Sequence, residues 1–320
     1  MIVLGIETSC DETGASIVED GCYVLSNVVA TSLKDHQKYG GIIPEIASRR
    51  QLELIQLVVM QACDNAKVRL SDVDMIAVTR KPGLIGSLLV GISFARALSF
   101  SLGRPLVEVD HIKAHIYANF LRMSKDPNDP LPKLPAVGLV VSGGHSSLYH
   151  VRDFDGFELI GQTRDDAVGE AYDKVARILG LGYPGGPVID RLAKSGVNEE
   201  VRFPKASMPG THDFSFSGVK TAVYYHVKKH SGHPDFNAAK VAYAFQESVV
   251  DVIVEKSLSA CRQKGAKTLL VGGGVAANSA LRERMVREAA SLAVDVRFPP
   301  MPLCLDNAAM IAGLGYHLRR

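Results

Sequence analysis

The sequence predicts a duplicated α/β protein of two lobes with a cleft between them. Three observations predict it. Strand-like apolar runs alternate with segments of helical periodicity, which implies a mainly parallel sheet with helical cover. One order of elements occurs twice, roughly 130 residues apart. Equivalent polar loops stand at the corresponding hairpins of the two halves. The chain has 320 residues, which at roughly 150 per domain suggests two domains. A single continuous doubly wound sheet is the competing architecture, and the matched polar loops favour two lobes.

In the first half, Ile2–Ile6 reads as a buried strand, Glu7-Thr-Ser-Cys-Asp-Glu-Thr13 as a polar loop and Ala15–Val18 as a second strand. Asp20-Gly21 is a hairpin turn signal before a strand at Tyr23–Val29. Helical periodicity runs from Pro44 to Ala66, with Ile46, Leu52, Ile55, Leu57, Val58 and Met60 on its apolar side. Asp74–Thr79 is a strand that Pro82-Gly83 turns into a helix ending near Gly103, and Leu106–Val109 leads into a helix carrying His111 and His115.

The second half repeats this. Ala136–Val141 is apolar, Ser142-Gly-Gly-His-Ser146 polar and Leu148–Val151 apolar, and a turn at Asp155-Gly156 precedes Leu159–Ile160. A long helix spans Ala239 to Lys264, Thr268–Val271 turns at Gly272-Gly-Gly274 into a helix from Asn278, and Val294–Arg297 precedes a helix opened by Asp306-Asn307. Asp126-Pro-Asn-Asp-Pro-Leu-Pro132 is the natural boundary. It separates an N-terminal lobe, 1–131, from a C-terminal lobe, 132–320, whose last helix is expected at the lobe junction.

Composition excludes several classes. Apolar residues are 47% and charged residues 22%, near the globular average and far from a disordered or fibrous chain. Net charge is +2, too small to steer RNA by itself. The five cysteines are Cys10, Cys22, Cys63, Cys261 and Cys304, with no Cys-x-x-Cys pair, so neither a disulfide framework nor a zinc knuckle is expected. The start reaches Glu7 too early for a secretory leader. The apolar stretch from Leu84 to Leu98 is interrupted by Gly86, Gly91 and Arg96, and no bilayer span is expected. These readings place the protein in the cytoplasm.

Five segments carry side chains capable of chemistry. In Glu7–Thr13, Asp11 and Glu12 would reject a bare phosphate and suit a metal, a water or an amine; an ordinary acidic hairpin is the alternative. Ser142-Gly143-Gly144-His145 stands at the equivalent loop, where paired glycines let backbone approach a ligand. Gly272-Gly-Gly-Val-Ala-Ala-Asn278 suits contact with a ring or sugar, with Asn278 as anchor, or is a plain strand-to-helix turn; it matches neither a dinucleotide fingerprint nor a Walker A motif. Gly169-Glu-Ala-Tyr-Asp173-Lys174 and Tyr183-Pro-Gly-Gly-Pro187 bracket a short helix; Asp173 and Asp190 could accept from hydroxyls or an amine, although the residues alone favour a plain helix with a Pro-Gly stop. His111-Ile-Lys-Ala-His115 puts two imidazoles on one helix face. Asp306 opens the corresponding helix of the second half and, by pseudosymmetry, would face them across the cleft. Two His and one carboxylate suit Fe²⁺ or Zn²⁺; surface histidines and a helix-capping Asp are the alternative.

The order of these segments resembles the TsaD family, the tRNA adenosine threonylcarbamoyltransferases once described as glycoproteases. The segments are Gly5-Ile-Glu-Thr-Ser-Cys-Asp-Glu-Thr13, Gly40-Gly-Ile-Ile-Pro-Glu-Ile-Ala-Ser-Arg49, the His111/His115 pair, Val141-Ser-Gly-Gly-His145, Gly169-Glu-Ala-Tyr-Asp-Lys174, Tyr183-Pro-Gly-Gly186, Phe216-Ser-Gly-Val-Lys220, Gly272–Asn278 and Asp306-Asn-Ala-Ala-Met310. The resemblance implies an actin/Hsp70/sugar-kinase fold. It implies one divalent metal, Fe²⁺ or Zn²⁺, on His111, His115 and Asp306, and threonylcarbamoyl-AMP contacts from Val140, Val141, Ser142, Gly143, Gly144, Asp173, Gly186, Asp190 and Asn278. The implied reaction passes the threonylcarbamoyl group to N6 of adenosine 37 in tRNAs reading ANN codons, giving t6A. Asp11 or Glu12 would orient or deprotonate the amine, a role inferred from their loop. Implied partners are tRNA, a fold-related TsaB-like paralogue and a TsaE-like ATPase, with a homodimer as one arrangement within the complex.

The sequence departs from the family pattern at Lys113-Ala114, where Glu-Gly is usual, at Lys81, where Gly is usual, and at Gln51, where His is usual. These bear on the surroundings of the metal and on partner contacts rather than on the reaction. A small-molecule kinase would share the fold without needing the His111/His115/Asp306 set, as would a non-catalytic scaffold. A zincin peptidase would need Glu where Ile112 stands.

Overall fold

The computed structural model describes residues 1–126, 130–197, 200–205, 208 and 210–319. Residues 127–129 of the expected boundary segment lie outside the described residues. In chain order the elements are β1 (Ile2–Glu7), β2 (Glu12–Glu19), β3 (Tyr23–Thr31), α1 (Leu33–Gln37), α2 (Pro44–Ala66), β4 (Met75–Lys81), α3 (Ile85–Leu102), β5 (Leu106–Asp110), α4 (His111–Tyr117), β6 (Ala136–Val141), β7 (Ser146–Val151), β8 (Phe157–Gln162), α5 (Val168–Ile178), α6 (Gly185–Ala193), α7 (Ser217–His230), α8 (Ala238–Lys264), β9 (Thr268–Gly272), α9 (Ser279–Ala290), β10 (Asp295–Arg297) and α10 (Ala308–Leu318).

The chain divides into two compact units, Met1–Pro132 with Pro299–Arg320, and Lys133–Phe298. Residues 299–320, assigned above to the second half, therefore pack with the first. Each unit is built on a five-stranded sheet, in the orders β3-β2-β1-β4-β5 and β8-β7-β6-β9-β10. The sheets correspond strand for strand. In each, the hairpin strands pair antiparallel and the rest parallel. Both sheets are thus mixed rather than mainly parallel, because each half opens with two hairpins before its first crossover.

In the first unit, α10 lies against β1, β2, β4 and β5. The seam is made of small residues because nothing larger fits. A Cβ on Gly5 would stand 2.1 Å from the Ala308 carbonyl oxygen, and one on Gly315 would stand 2.6 Å from the Ala77 Cβ. Helix α2 packs against β2 and β3 and α3 against β4 of the same sheet, over a core that includes Leu4, Ile6, Ile17, Ile55, Val58, Val59 and Ile76. The buried stripe of α2 is Ala47, Gln51, Ile55, Val58, Val59, Ala62 and Cys63. Leu52, Leu57 and Met60, expected inside, are exposed; the helix turns its smaller side chains inward to approach β2 and β3. Helix α3 continues past Arg96 to Leu102, capped by Gly103 at φ 63°. At 18 residues it is long and apolar enough to cross a membrane by length and composition, which corrects the shorter estimate from sequence. It packs against α2 and β4 and leaves Ile85, Leu89 and Phe100 exposed.

In the second unit α8 is the spine, with apolar residues buried from Ala239 to Cys261. Asn237 caps it by accepting from the N–H groups of Ala239 and Lys240. Helices α6, α7 and α9 pack on it. Phe214 and Phe216 stack and are buried, which anchors the start of α7 in the core.

Gly5→Ala should destabilise the protein by about 1–3 kcal/mol through overpacking against α10, while Gly41→Ala, whose Cβ would meet nothing within 4 Å, should be near neutral. Equal midpoints of thermal unfolding for the two variants would show that the seam tolerates a methyl group.

Candidate functional site

In the first unit, parallel strands β1, β4 and β5 end side by side, and their C-terminal ends carry the polar residues. Asp110 ends β5 and caps α4, its Oδ1 accepting from the N–H groups of Ile112 and Lys113 at 3.0 and 3.2 Å. This cap fixes the first turn of α4, so His111 and His115 project from one side, with ring centroids 4.6 Å apart and edge to face. Asp306 sits in the turn before α10. Asn307 pins that turn by donating to the carbonyls of Leu303 and Leu305 while accepting from the Met310 N–H. Asp306 Oδ1 then lies 3.1 Å from His115 Nε2 and 3.6 Å from His111 Nε2. One donor atom from each residue falls within a 4.8 Å cluster. The sequence reading placed Asp306 in the opposite half. It belongs to the same unit as the histidines, because the chain returns to the first sheet after Phe298.

The histidines are buried, His115 completely. Burial pushes His115 below the ordinary imidazole range. His111 feels the same burial, but the carboxylates of Glu7 and Asp306 outweigh it and raise its pKa to about 9. Glu7 lies 3.0 Å from His111 Nδ1, and that imidazole holds the buried carboxyl below its usual value despite desolvation.

Asp11 lies on the turn between β1 and β2, and Glu12 opens β2. Their loop is fixed through its carbonyls. Ser9 O accepts from the Leu84 N–H, Cys10 O from Ser87 Oγ and Gln51 Nε2, Asp11 O from Ser32 Oγ, and Glu12 O from the same Gln51 Nε2. Gln51, one of the departures from the family pattern, is thus a two-pronged staple under the acidic turn. Burial, then repulsion by Asp306 and Asp11, pushes Glu12 up to about 9.

The remaining candidates lie in the second unit, where a chain of contacts links them. Val140 and Val141 are fully buried at the end of β6. The Ser142–His145 turn closes on itself, with Ser142 N–H donating to His145 O and His145 N–H to Ser142 Oγ. A Cβ on Gly143 or Gly144 would meet nothing within 4 Å, whereas one on Gly169 would strike Ser142 O and the Gly143 backbone under 3 Å. The glycine turn therefore lies directly on the start of α5 with its own Cα positions open. Asp173 on α5 accepts from the Gly185 N–H at 2.7 Å and holds the start of α6; burial raises its pKa. The Cα position of Gly186 is open in the same sense. Asp190 on α6 takes both the hydroxyl and the N–H of Ser279. Asn278 caps α9 through the Leu281 N–H and donates to Gln246 Oε1 at 2.8 Å. Gln246 also receives the Tyr172 hydroxyl, which closes the circuit back to α5. Gly273, at φ 90°, passes so near β6 that a Cβ would stand 2.4 Å from Val141 O.

Sequence reasoning missed several residues. Glu7 gave a signal, a charge ending an apolar strand, and is 1% exposed. Gln246 gave none, being one polar residue inside a long helix. Asp165 and Asp166 also escaped notice. Asp165 accepts from Ser215 Oγ and the N–H groups of Phe216 and Ser217, and Asp166 bridges Lys174 on α5 to Lys220 on α7 at 2.7 and 2.6 Å. Together they tie the start of α7 to the approach to α5.

Comparison with known proteins follows this geometry. The family model for TsaD, tRNA N6-adenosine threonylcarbamoyltransferase, matches residues 23–313. A tRNA N6-adenosine threonylcarbamoyltransferase of Syntrophus aciditrophicus is 52% identical over 320 residues, covering 99% of this chain and 92% of that protein. One from Symbiobacterium thermophilum is 50% identical over 319 residues, covering 100% and 92%. Among solved structures, full-length HypF in its phosphate- and nucleotide-bound form is similar with a TM-score of 0.62 at 13% identity, over 98% of this chain and 54% of that one. Component A of the Acidaminococcus fermentans (R)-2-hydroxyglutaryl-CoA dehydratase gives 0.55 at 15% identity, over 99% and 98%. These structural similarities bear on the fold alone, two α/β units over nearly the whole chain.

The Asp166 bridge has a pH signature. Lys174 and Lys220 outweigh burial and hold the Asp166 carboxyl below its ordinary 3.8, so its stabilisation is present above that value and lost as pH falls through the lowered one. Asp166→Asn should cost about 1–3 kcal/mol at neutral pH, and the gap from the parent should close on acidification below 3.8. A gap that stays constant down to the acid transition would refute the assignment.

Proposed function

This chain belongs to the tRNA N6-adenosine threonylcarbamoyltransferase family, and we infer that it transfers the threonylcarbamoyl group of threonylcarbamoyl-AMP to N6 of adenosine 37 in tRNAs reading ANN codons, forming t6A. The observation that carries this is the near full-length relationship at 52% identity. The clustering of His111, His115 and Asp306 supports it.

The donor set fits a divalent metal. Two imidazole nitrogens and a carboxylate, gathered within 4.8 Å on capped and buried backbone, suit Fe²⁺ or Zn²⁺. When bound, such an ion supplies Lewis acidity that stabilises oxygen charge in the transition state. In the reaction the N6 nitrogen forms a bond to the carbamoyl carbon, the bond from that carbon to the phosphate oxygen breaks, and AMP leaves with the electron pair. The N6 proton has to go to an acceptor. We assign that acceptor, or the group that orients the amine, to Asp11, with Glu12 beside it.

The adenylate would be held in the second unit by Val140, Val141, Ser142, Gly143, Gly144, Asp173, Gly186, Asp190 and Asn278. The open Cα positions of Gly143, Gly144 and Gly186 support backbone approach to a ligand. The bonds from Asp173, Asp190 and Asn278 fix the helix starts beside them. For partners we propose tRNA, a TsaB-like paralogue and a TsaE-like ATPase, with a homodimer within the complex, in the cytoplasm. Exposed Leu52, Leu57, Ile85, Leu89 and Phe100 on adjacent α2 and α3 support a protein partner on the first unit. Net charge of +2 is weak steering for RNA, so partners would complete the tRNA surface.

His111→Ala and Asp306→Ala should each lower metal affinity by more than about 100-fold; full occupancy by metal analysis in both would remove the site. Asn278→Ala and Gly144→Val should weaken AMP binding in calorimetry, the second without loss of stability because that Cβ meets nothing. The chain supplied with threonylcarbamoyl-AMP and its partners should modify unmodified tRNA, less so as salt rises. Asp11→Ala should lower transfer more than adenylate affinity. Phosphorylation of a small molecule by the chain alone, without tRNA modification in the full mixture, would establish a kinase instead.

A further inference from the structure

Glu7 takes no part in the ligand set, yet it is the most enclosed carboxylate of the first unit. It ends β1 and is 1% exposed. An unpaired buried carboxylate is costly, and this one is fully engaged. Its Oε1 accepts from the Ser9 N–H at 2.5 Å. Its Oε2 accepts from Thr79 Oγ1 at 2.5 Å and lies 3.0 Å from His111 Nδ1. A carboxylate only accepts, so the imidazole must present Nδ1–H to it. With Nδ1–H committed to Glu7, Nε2, which faces Asp306 at 3.6 Å, is the nitrogen left to give up its proton and offer a lone pair to an ion.

The second histidine is different. Among the described residues no hydrogen-bond partner reaches His115 Nδ1. The two imidazoles are therefore inequivalent. One is oriented and polarised by an anion, and the other is set by packing and Asp306 alone. With Asp306, Glu7 also places two negative charges where a divalent ion would bring two positive ones.

We propose that Glu7 is the positioning residue of the metal centre, fixing the His111 tautomer and ring so that Nε2 is the coordinating atom. The inference rests on the metal reading above and extends it to a residue outside the ligand set.

Glu7→Gln tests it at nearly constant shape. If the amide oxygen stays toward Ser9 N–H, the amide NH₂ faces His111 Nδ1, which must then accept and carry its proton on Nε2 instead. If the amide is reversed, its NH₂ meets the Ser9 N–H, donor against donor. The first arrangement opposes Nε2 coordination directly; the second keeps an acceptor for Nδ1–H only at the cost of the clash with Ser9, and in both the anion that polarises the imidazole is gone. A carboxylate partner of a metal-bound His is typically worth about 10–100-fold in affinity.

The experiment uses the full chain stripped of metal and titrated with Zn²⁺ against a chromophoric chelator, with ¹⁵N NMR of the Zn²⁺-loaded parent. The expected result is Zn²⁺ on His111 Nε2 with a protonated Nδ1 in the parent, and affinity weaker by about 10–100-fold in Glu7→Gln. Thr79→Val, which keeps the carboxylate and its charge, should lose less, and AMP binding by both variants should match the parent. Zn²⁺ on Nδ1 of His111 in the parent would overturn the inference even if Glu7→Gln failed to fold. So would unchanged affinity in a folded Glu7→Gln. Failure of the parent to bind Zn²⁺ at all would instead overturn the metal reading.

Discussion

No side chain fits between β1 and α10 at Gly5, and much of the first unit follows from that contact. A helix that approaches a sheet closely enough for a Cβ to stand 2.1 Å from its backbone must be made of small residues, and α10 supplies Ala308, Ala309, Ala312, Gly313 and Gly315. The docking is what recovers residues 299–320 from the sequence of the second half. Because α10 starts where β1, β4 and β5 end, the turn in front of it delivers Asp306 to His115. The metal-type cluster is thus a consequence of sheet packing, held by the Asp110 and Asn307 caps on the two helices that meet there.

The second unit solves a comparable problem by hydrogen bonding. Its candidate residues come from α5, α6, α9 and the glycine turn after β6, elements far apart in sequence. Gln246, on the buried α8, joins Asn278 to Tyr172, while Asp173 holds the start of α6 and Asp190 the start of α9. Buried polar groups cost stability unless satisfied, so such a circuit is cooperative: losing one member leaves its partner stranded. Among the candidate residues, Gly143, Gly144 and Gly186 are open at Cα, unlike the side chains of Asp173, Asp190 and Asn278, which are engaged in holding helix starts.

The duplication and most element boundaries were legible, because period-two and period-3.6 patterns and glycine punctuation are local. The α2 span matched residue for residue, yet its inward face did not. Leu52 and Leu57 are exposed while Gln51 and Ala47 are buried: the face turned to β2 and β3 is set by the fit of Ala47 and by the bonds of Gln51 to the Cys10 and Glu12 carbonyls, not by hydrophobicity alone. The placement of Asp306 was misread for a related reason. Pseudosymmetry predicts equivalent positions, but which sheet a terminal helix covers is decided by long-range packing that no local pattern encodes. Gln246 and the Asp165–Asp166 pair were invisible because single polar residues carry no periodicity.

The electrostatics of the first unit argue for a cation independently of any motif. Glu7 and Asp306 flank the two buried imidazoles, and Glu12 feels the charges of Asp306, Asp11 and Glu7. Their mutual repulsion shows in Glu12, pushed up to about 9 by burial and its acidic neighbours, and in His111, drawn up to about 9 by Glu7 and Asp306. Both groups take up protons to supply positive charge or to remove negative charge. A divalent ion at His111, His115 and Asp306 would do that work in their place, displacing the His111 proton and easing the repulsion on Glu12. Metal uptake and the ionisation of the acidic turn are then one coupled equilibrium. The arrangement that holds the ion would also set the charge on the residues proposed to handle the amine.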